Sequence, residues 1–184
     1  KYHHALIAAA LAGTLAMPAA AQTGAGAGAR PASDRYEWVT LGTQGGPMPS
    51  LERREPANAL IRSGNAILID TGDGAITQYV GAGGKFPWLS AVFISHLHFD
   101  HTAGLFAVLG LRAQTQTAKP LTIYGPPGIR QLVAGLIEGT RPGTQSGYGV
   151  PGEIEFKGDR NLTVVELTDG ATATVGDIKV TAAR

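Results

Sequence analysis

Residues Ile94–Leu105 read ISHLHFDHTAGL, and this stretch decides the fold. Three of the chain's five histidines, His96, His98 and His101, fall within six residues, with Asp100 among them. The apolar run Ala91–Ile94 just ahead reads as a short strand. If the chain stays extended through the first histidines, His96 and His98 project to one side, because strand side chains alternate with period two. They can then chelate one cation together. Asp100 and His101, past the turn into a helix, can face a second position. Imidazole and carboxylate donors in a chain without cysteine suit Zn²⁺, with Mn²⁺ and Fe²⁺ as options. Four polar groups gathered after an apolar strand need partners, and a metal supplies them.

Working outward, Leu68-Ile69-Asp70 ends an apolar strand and runs into the Gly-rich turn Thr71-Gly72-Asp73-Gly74. Asn58–Ile61 and Ala66–Ile69 flank Ser63-Gly64-Asn65, the signature of a hairpin. Tyr36–Leu41 reads as a first strand, and Ala75–Val80 as a short helix. A helix is expected over Thr102–Leu111, with Leu105, Phe106 and Leu109 on one side. Leu121–Tyr124 is a strand closed by Gly125-Pro126-Pro127-Gly128. Ile129, Leu132, Val133, Leu136 and Ile137 recur at the helical spacing. Residues 139–160 read as an irregular insertion. Leu162–Leu167, Ala171–Val175 and Ile178–Ala182 are expected to form an antiparallel set, with Gly176-Asp177 as a hairpin turn. Hairpins at both ends with strand–helix units between them indicate an α+β sandwich of sheets flanked by helices.

The amino end differs in composition. Ala5–Met17 is apolar apart from Thr14, and Lys1, His3 and His4 precede it. The run has 13 residues, short of the roughly 20 a spanning helix needs. Pro18 breaks it and Ala19-Ala20-Ala21 follows. Residues 1–21 therefore read as a secretory signal peptide cleaved after Ala21, residues 22–34 as a flexible Gly/Ala-rich tether, and residues 35–184 as one domain. The expected product is periplasmic or secreted, with no membrane association. The whole chain has 15 Lys+Arg against 14 Asp+Glu. Removing Lys1 with the signal leaves a net charge of zero, which lacks the basic footprint expected for binding a polyanion.

His96-Leu97-His98-Phe99-Asp100-His101 resembles the H-x-H-x-D-H signature of metallo-β-lactamase-fold hydrolases. Leu68–Gly72 is similar to that family's strand-end aspartate segment. Leu41–Pro49 (LGTQGGPMP) and Thr122–Val133 (TIYGPPGIRQLV) resemble a narrower branch that holds ribonuclease Z and arylsulfatase-like enzymes. The resemblance implies an αββα sandwich with two zinc ions. His96 and His98 would serve the first ion, and Asp100 and His101 the second. Asp100 would also orient the nucleophile, and Asp70 would hold the ligands from behind. The family pattern needs a further histidine, an aspartate and a last histidine downstream, and no histidine follows His101. The expectation is a carboxy-terminally truncated domain that binds metal weakly and turns over little.

On substrate, the neutral charge and the turn Thr71-Gly72-Asp73-Gly74, unlike the Cys-Gly-Glu-Gly-Thr form associated with ribonuclease Z, favour the arylsulfatase-like branch. The expectation is a zinc hydrolase of a small ester, an aryl sulfate or phosphodiester, with nucleic acid unlikely as a partner. The alternatives are a ribonuclease Z-like phosphodiesterase and a non-catalytic metal-binding remnant. Arg53 and Arg54, with Arg62, could form a local anion clamp. Similar enzymes are often homodimers.

Overall fold

A computed structural model describes residues 34–46, 48–146 and 157–183. The expected signal peptide and nearly all of the tether lie outside these residues. A six-stranded sheet runs in the order β1-β2-β3-β4-β5-β6, and β7-β8 form a separate two-stranded sheet. The strands are β1 (Glu37–Gly42), β2 (Ala57–Arg62), β3 (Asn65–Ile69), β4 (Leu89–Phe93), β5 (Leu121–Gly125), β6 (Leu162–Glu166), β7 (Thr172–Val175) and β8 (Ile178–Thr181). The helices are α1 (Ala75–Gly81), α2 (Phe99–Thr102), α3 (Leu105–Gln114) and α4 (Ile129–Ser146).

The first three strands are antiparallel. The β2–β3 turn falls at Ser63-Gly64, where Gly64 takes φ 76°, the left-handed backbone such a turn demands. From β3 to β6 every pairing in this sheet is parallel. One face of the sheet packs against Ile76 and Tyr79 of α1, Leu105, Val108 and Leu109 of α3, and Ile129 and Val133 of α4. On the other face Ile67, Ala91 and Phe93 meet Ala173, with Val175, Ile178 and Val180 packed around them. The result is a helix layer, a large sheet and the start of a second sheet, a mixed α and β sandwich as expected. Among the described residues no helix is long and apolar enough to cross a membrane.

Three expectations need correction. Leu162–Leu167 does not join the carboxy-terminal hairpin but pairs in parallel with β5, so only β7 and β8 are antiparallel partners. The expected helix over Thr102–Leu111 is two helices. The amide of Gly104 bonds the carbonyl of Thr71 at 2.7 Å, a tertiary bond that separates α2 from α3. Leu105, Val108 and Leu109 form the buried stripe of α3, while Phe106 stays 45% exposed. Finally, residues 139–146 are helical despite Gly139, Pro142 and Gly143. Pro142 removes one backbone donor, and neighbouring side chains add local bonds. The Thr140 hydroxyl donates to the Ile137 carbonyl at 2.7 Å, and Arg141 pairs with Glu138.

Two buried or half-buried cations tie layers together. The Arg112 guanidinium, 3% exposed, donates to the carbonyls of Arg160 and Lys119. Burial lowers its pKa, and the nearby charge of Arg160 lowers it further. Lys119 donates to the carbonyls of Gly64 and Trp88 at 3.0 and 2.9 Å.

Candidate metal centre

The segment Asp70–Gly74 follows β3, and four successive amides in it each find a different partner. Asp70 N–H donates to Phe93, Thr71 to His101 and Gly72 to Pro56 carbonyls, at 2.7, 2.8 and 3.1 Å. Asp73 N–H donates to Oε2 of Glu55 at 2.7 Å, which explains why that glutamate is buried at 4% exposure. Thus the loop is held between residues 55–56 on one side and the start of α2 on the other. Asp70 itself takes φ 57°, a left-handed conformation that Asp tolerates better than most residues.

This backbone turns the Asp70 carboxylate toward the histidine segment. Its Oδ1 accepts from the Ser95 amide at 2.7 Å. Its Oδ2 accepts from the Ser95 hydroxyl at 2.8 Å and lies 2.8 Å from His101 Nδ1. A carboxylate can only accept, so Nδ1 of His101 carries the proton and Nε2 keeps its lone pair. That free Nε2 sits 3.7 Å from Oδ2 of Asp100. One donor atom from each of His96, Asp100 and His101 lies within 4.8 Å of the others, and no other such group of His, Asp or Glu occurs among the described residues. Two imidazoles and a mostly buried carboxylate are the donor chemistry a divalent transition-metal ion takes.

The grouping differs from the one expected. β4 ends at Phe93, so residues 94–98 are not strand and period-two alternation is not enforced on them. The His96 ring lies closer to His101, at 3.9 Å between centroids, than to His98, at 4.7 Å. His98 is the extended residue that precedes α2 and is exposed. Asp100 and His101 sit on the first turns of α2, where the Thr102 hydroxyl donates to the His98 carbonyl at 3.1 Å. Asp70 lies against His101, one of the residues the sequence reading expected it to support.

The proposed arginine clamp does not assemble. Arg62 is engaged elsewhere: its guanidinium bonds Asp177 in the β7–β8 turn at 3.0 Å and stacks 4.3 Å over the Tyr36 ring. The hydrogen bond from Arg62 holds the Asp177 carboxyl below its ordinary range. Arg53 and Arg54 are exposed, and the Arg54 stem lies against Gly74. Two site residues escaped the sequence reading. Ser95 carries a signal, its position directly before the first histidine. Glu55 carries none, since nothing local marks it as the partner of Asp73.

The sequence matches the beta-lactamase superfamily domain over residues 65–184. It is 36% identical over 141 residues to the ribonuclease Z of Exiguobacterium sp., covering 77% of this chain and 42% of the relative. Identity to the ribonuclease Z of Mycolicibacterium paratuberculosis is 33% over 135 residues, 72% of this chain and 48% of the relative. The chain thus spans about half the length of these curated relatives. Among solved structures it superposes on human tRNase Z, short form, with TM-score 0.54 and 31% identity, covering 70% of this chain and 43% of that one. A metallo-beta-lactamase fold protein from Bacillus subtilis gives TM-score 0.57 at 19% identity, covering 81% and 52%, which speaks for the fold alone. The two bacterial relatives are named ribonuclease Z and the human structure tRNase Z. That overturns the expectation that nucleic acid is an unlikely partner. The error lay in weighing net charge over the whole chain, whereas a polyanion is met by local charge and by a bound cation.

Proposed function

The chain belongs to the beta-lactamase superfamily, and from that premise we infer that it carries metal ligands of a ribonuclease Z-like phosphodiesterase whose substrate is RNA. The observation that carries the reading is the convergence of His96, Asp100 and His101 within 4.8 Å, backed by Asp70. The fold implies a divalent cation, generally zinc. Such an ion would supply the positive charge that acidifies water and stabilises charge on a phosphoryl oxygen.

The chain's own residues have separable tasks. His96 and His101 would bind the ion through ring nitrogens. The Asp100 carboxylate, 8% exposed, would bind alongside them, and its second oxygen can accept a proton from an attacking water and so aim it. Asp70 holds the proton on His101 Nδ1, which fixes the ring's orientation and leaves Nε2 as the nitrogen that would ligate. Zinc takes at least four ligands, so three donors leave room for water or a further ligand. His98 stands beside the group as the remaining candidate. A second ion, as the resemblance implies, needs donors beyond these.

The aryl sulfate reading has no support in the geometry and becomes a control. The gene's full product, loaded with Zn²⁺, is incubated with a precursor tRNA bearing a 3′ trailer, with an aryl sulfate and with a bis-aryl phosphate. The expected result is RNA cleavage that a chelator abolishes and added Zn²⁺ restores. Turnover of the sulfate ester with the RNA left intact would sink the proposal.

A further inference from the structure

The hydroxyl of Ser95 has three polar neighbours and a single proton. Asp70 Oδ2 lies 2.8 Å away, His96 Nδ1 3.0 Å and His101 Nδ1 3.4 Å. The carboxylate accepts only, so the hydroxyl proton goes to Asp70. The oxygen then has only lone pairs to offer His96, and a bond at 3.0 Å requires the proton on Nδ1 of that ring. His101 already gives its Nδ1 proton to Asp70 at 2.8 Å. The Ser95 amide fixes the other carboxylate oxygen at 2.7 Å, so Oδ2 stays aimed at the Ser95 hydroxyl and the His101 ring.

We propose that Ser95 is a positioning residue: with Asp70 it forms a relay that sets both His96 and His101 in the Nδ1–H tautomer, so that each presents Nε2 to the cation. Asp70 reaches His101 directly and reaches His96 only through the Ser95 hydroxyl. One carboxylate therefore orients two ligand rings from opposite ends of the motif. The consequence for metal affinity rests on the cation reading above, but the tautomer assignment does not.

The test uses the metal-free chain at about pH 8. Long-range ¹⁵N–¹H correlations of the histidine rings report which nitrogen is protonated. In the wild type His96 and His101 both show the Nδ1–H pattern. Ser95→Ala shifts His96 toward the Nε2–H form, while His101, still bonded to Asp70, keeps its pattern. Ser95→Thr, which retains the hydroxyl, restores His96. Competition with a chromophoric chelator then shows Zn²⁺ affinity falling roughly tenfold in Ser95→Ala and recovering in Ser95→Thr. That is the lower end of the usual effect for groups behind a ligand, because Ser95 is exposed and water replaces part of its role. Should Ser95→Ala fail to fold, Ser95→Cys, with its weak donor, predicts the same shift. An unchanged His96 pattern in the variant overturns the proposal. If instead the wild type binds no Zn²⁺ yet the tautomers respond as described, the relay stands and the cation reading falls.

Discussion

Gly72→Ala is expected to destabilise the protein by about 3 kcal/mol or more, the upper range for adding volume where nothing can yield. A Cβ at this position would sit 2.3 Å from the Asp100 carbonyl oxygen and 2.5 Å from Cβ of Glu55. Both obstacles are backbone or at the root of a side chain, so rotamer changes give no relief. Relaxation must part the Asp70–Gly74 loop from α2, which breaks the Thr71 amide bond to His101 and the Gly104 amide bond to Thr71. The same movement would draw Asp100 away from the histidines, so Zn²⁺ affinity should fall with stability. Gly110→Ala is the contrasting control. Gly110 lies inside α3 with nothing within 4 Å of its would-be Cβ, and the change should stabilise by up to about 1 kcal/mol from helix propensity alone. Urea denaturation of the two variants reads the difference. Equal stability of Gly72→Ala and wild type would mean that the loop is not clamped as described.

Asp70→Ala is expected to weaken Zn²⁺ binding by roughly 10–100-fold and to destabilise the metal-free protein by about 2–4 kcal/mol. Three donors lose their acceptor: the Ser95 amide, the Ser95 hydroxyl and His101 Nδ1. Alanine must also adopt φ 57°, which an Asp side chain offsets and a methyl group does not. Asp70→Asn separates the two contributions. It tolerates the left-handed backbone and retains one acceptor oxygen, so it should recover most of the stability and little of the metal affinity. Chelator competition and urea denaturation on the same samples give both readings. Wild-type affinity in Asp70→Ala would show that the carboxylate does not orient the ligands.

The local parts of this fold were legible where chemistry is local. Ser63-Gly64 announces its hairpin because only a left-handed backbone turns there, and Ile129–Ile137 announces its helix by spacing. The pairing of Leu162–Glu166 with β5 was not legible, since parallel partners are chosen by tertiary contacts that leave no mark on the strand itself. Pro142 hid the last two turns of α4, because the bonds that offset it belong to Thr140, Arg141 and Glu138. At the site, residue types were readable and grouping was not. The alternation argument needed β4 to continue past Phe93, and it stops there. Glu55 shows the same limit from the other side: it acts on Asp73, 18 positions away in sequence, so no window around it displays its purpose.

The central claim is that His96, Asp100 and His101 hold a divalent cation. Equilibrium competition for Zn²⁺ between this chain and a chromophoric chelator tests it most directly, with Asp100→Ala and His101→Ala measured beside the wild type. The account predicts one competing site in the wild type and at least a tenfold loss in each variant, in line with removing a direct ligand. Zinc binding of equal affinity in all three proteins, or none in the wild type, would contradict it.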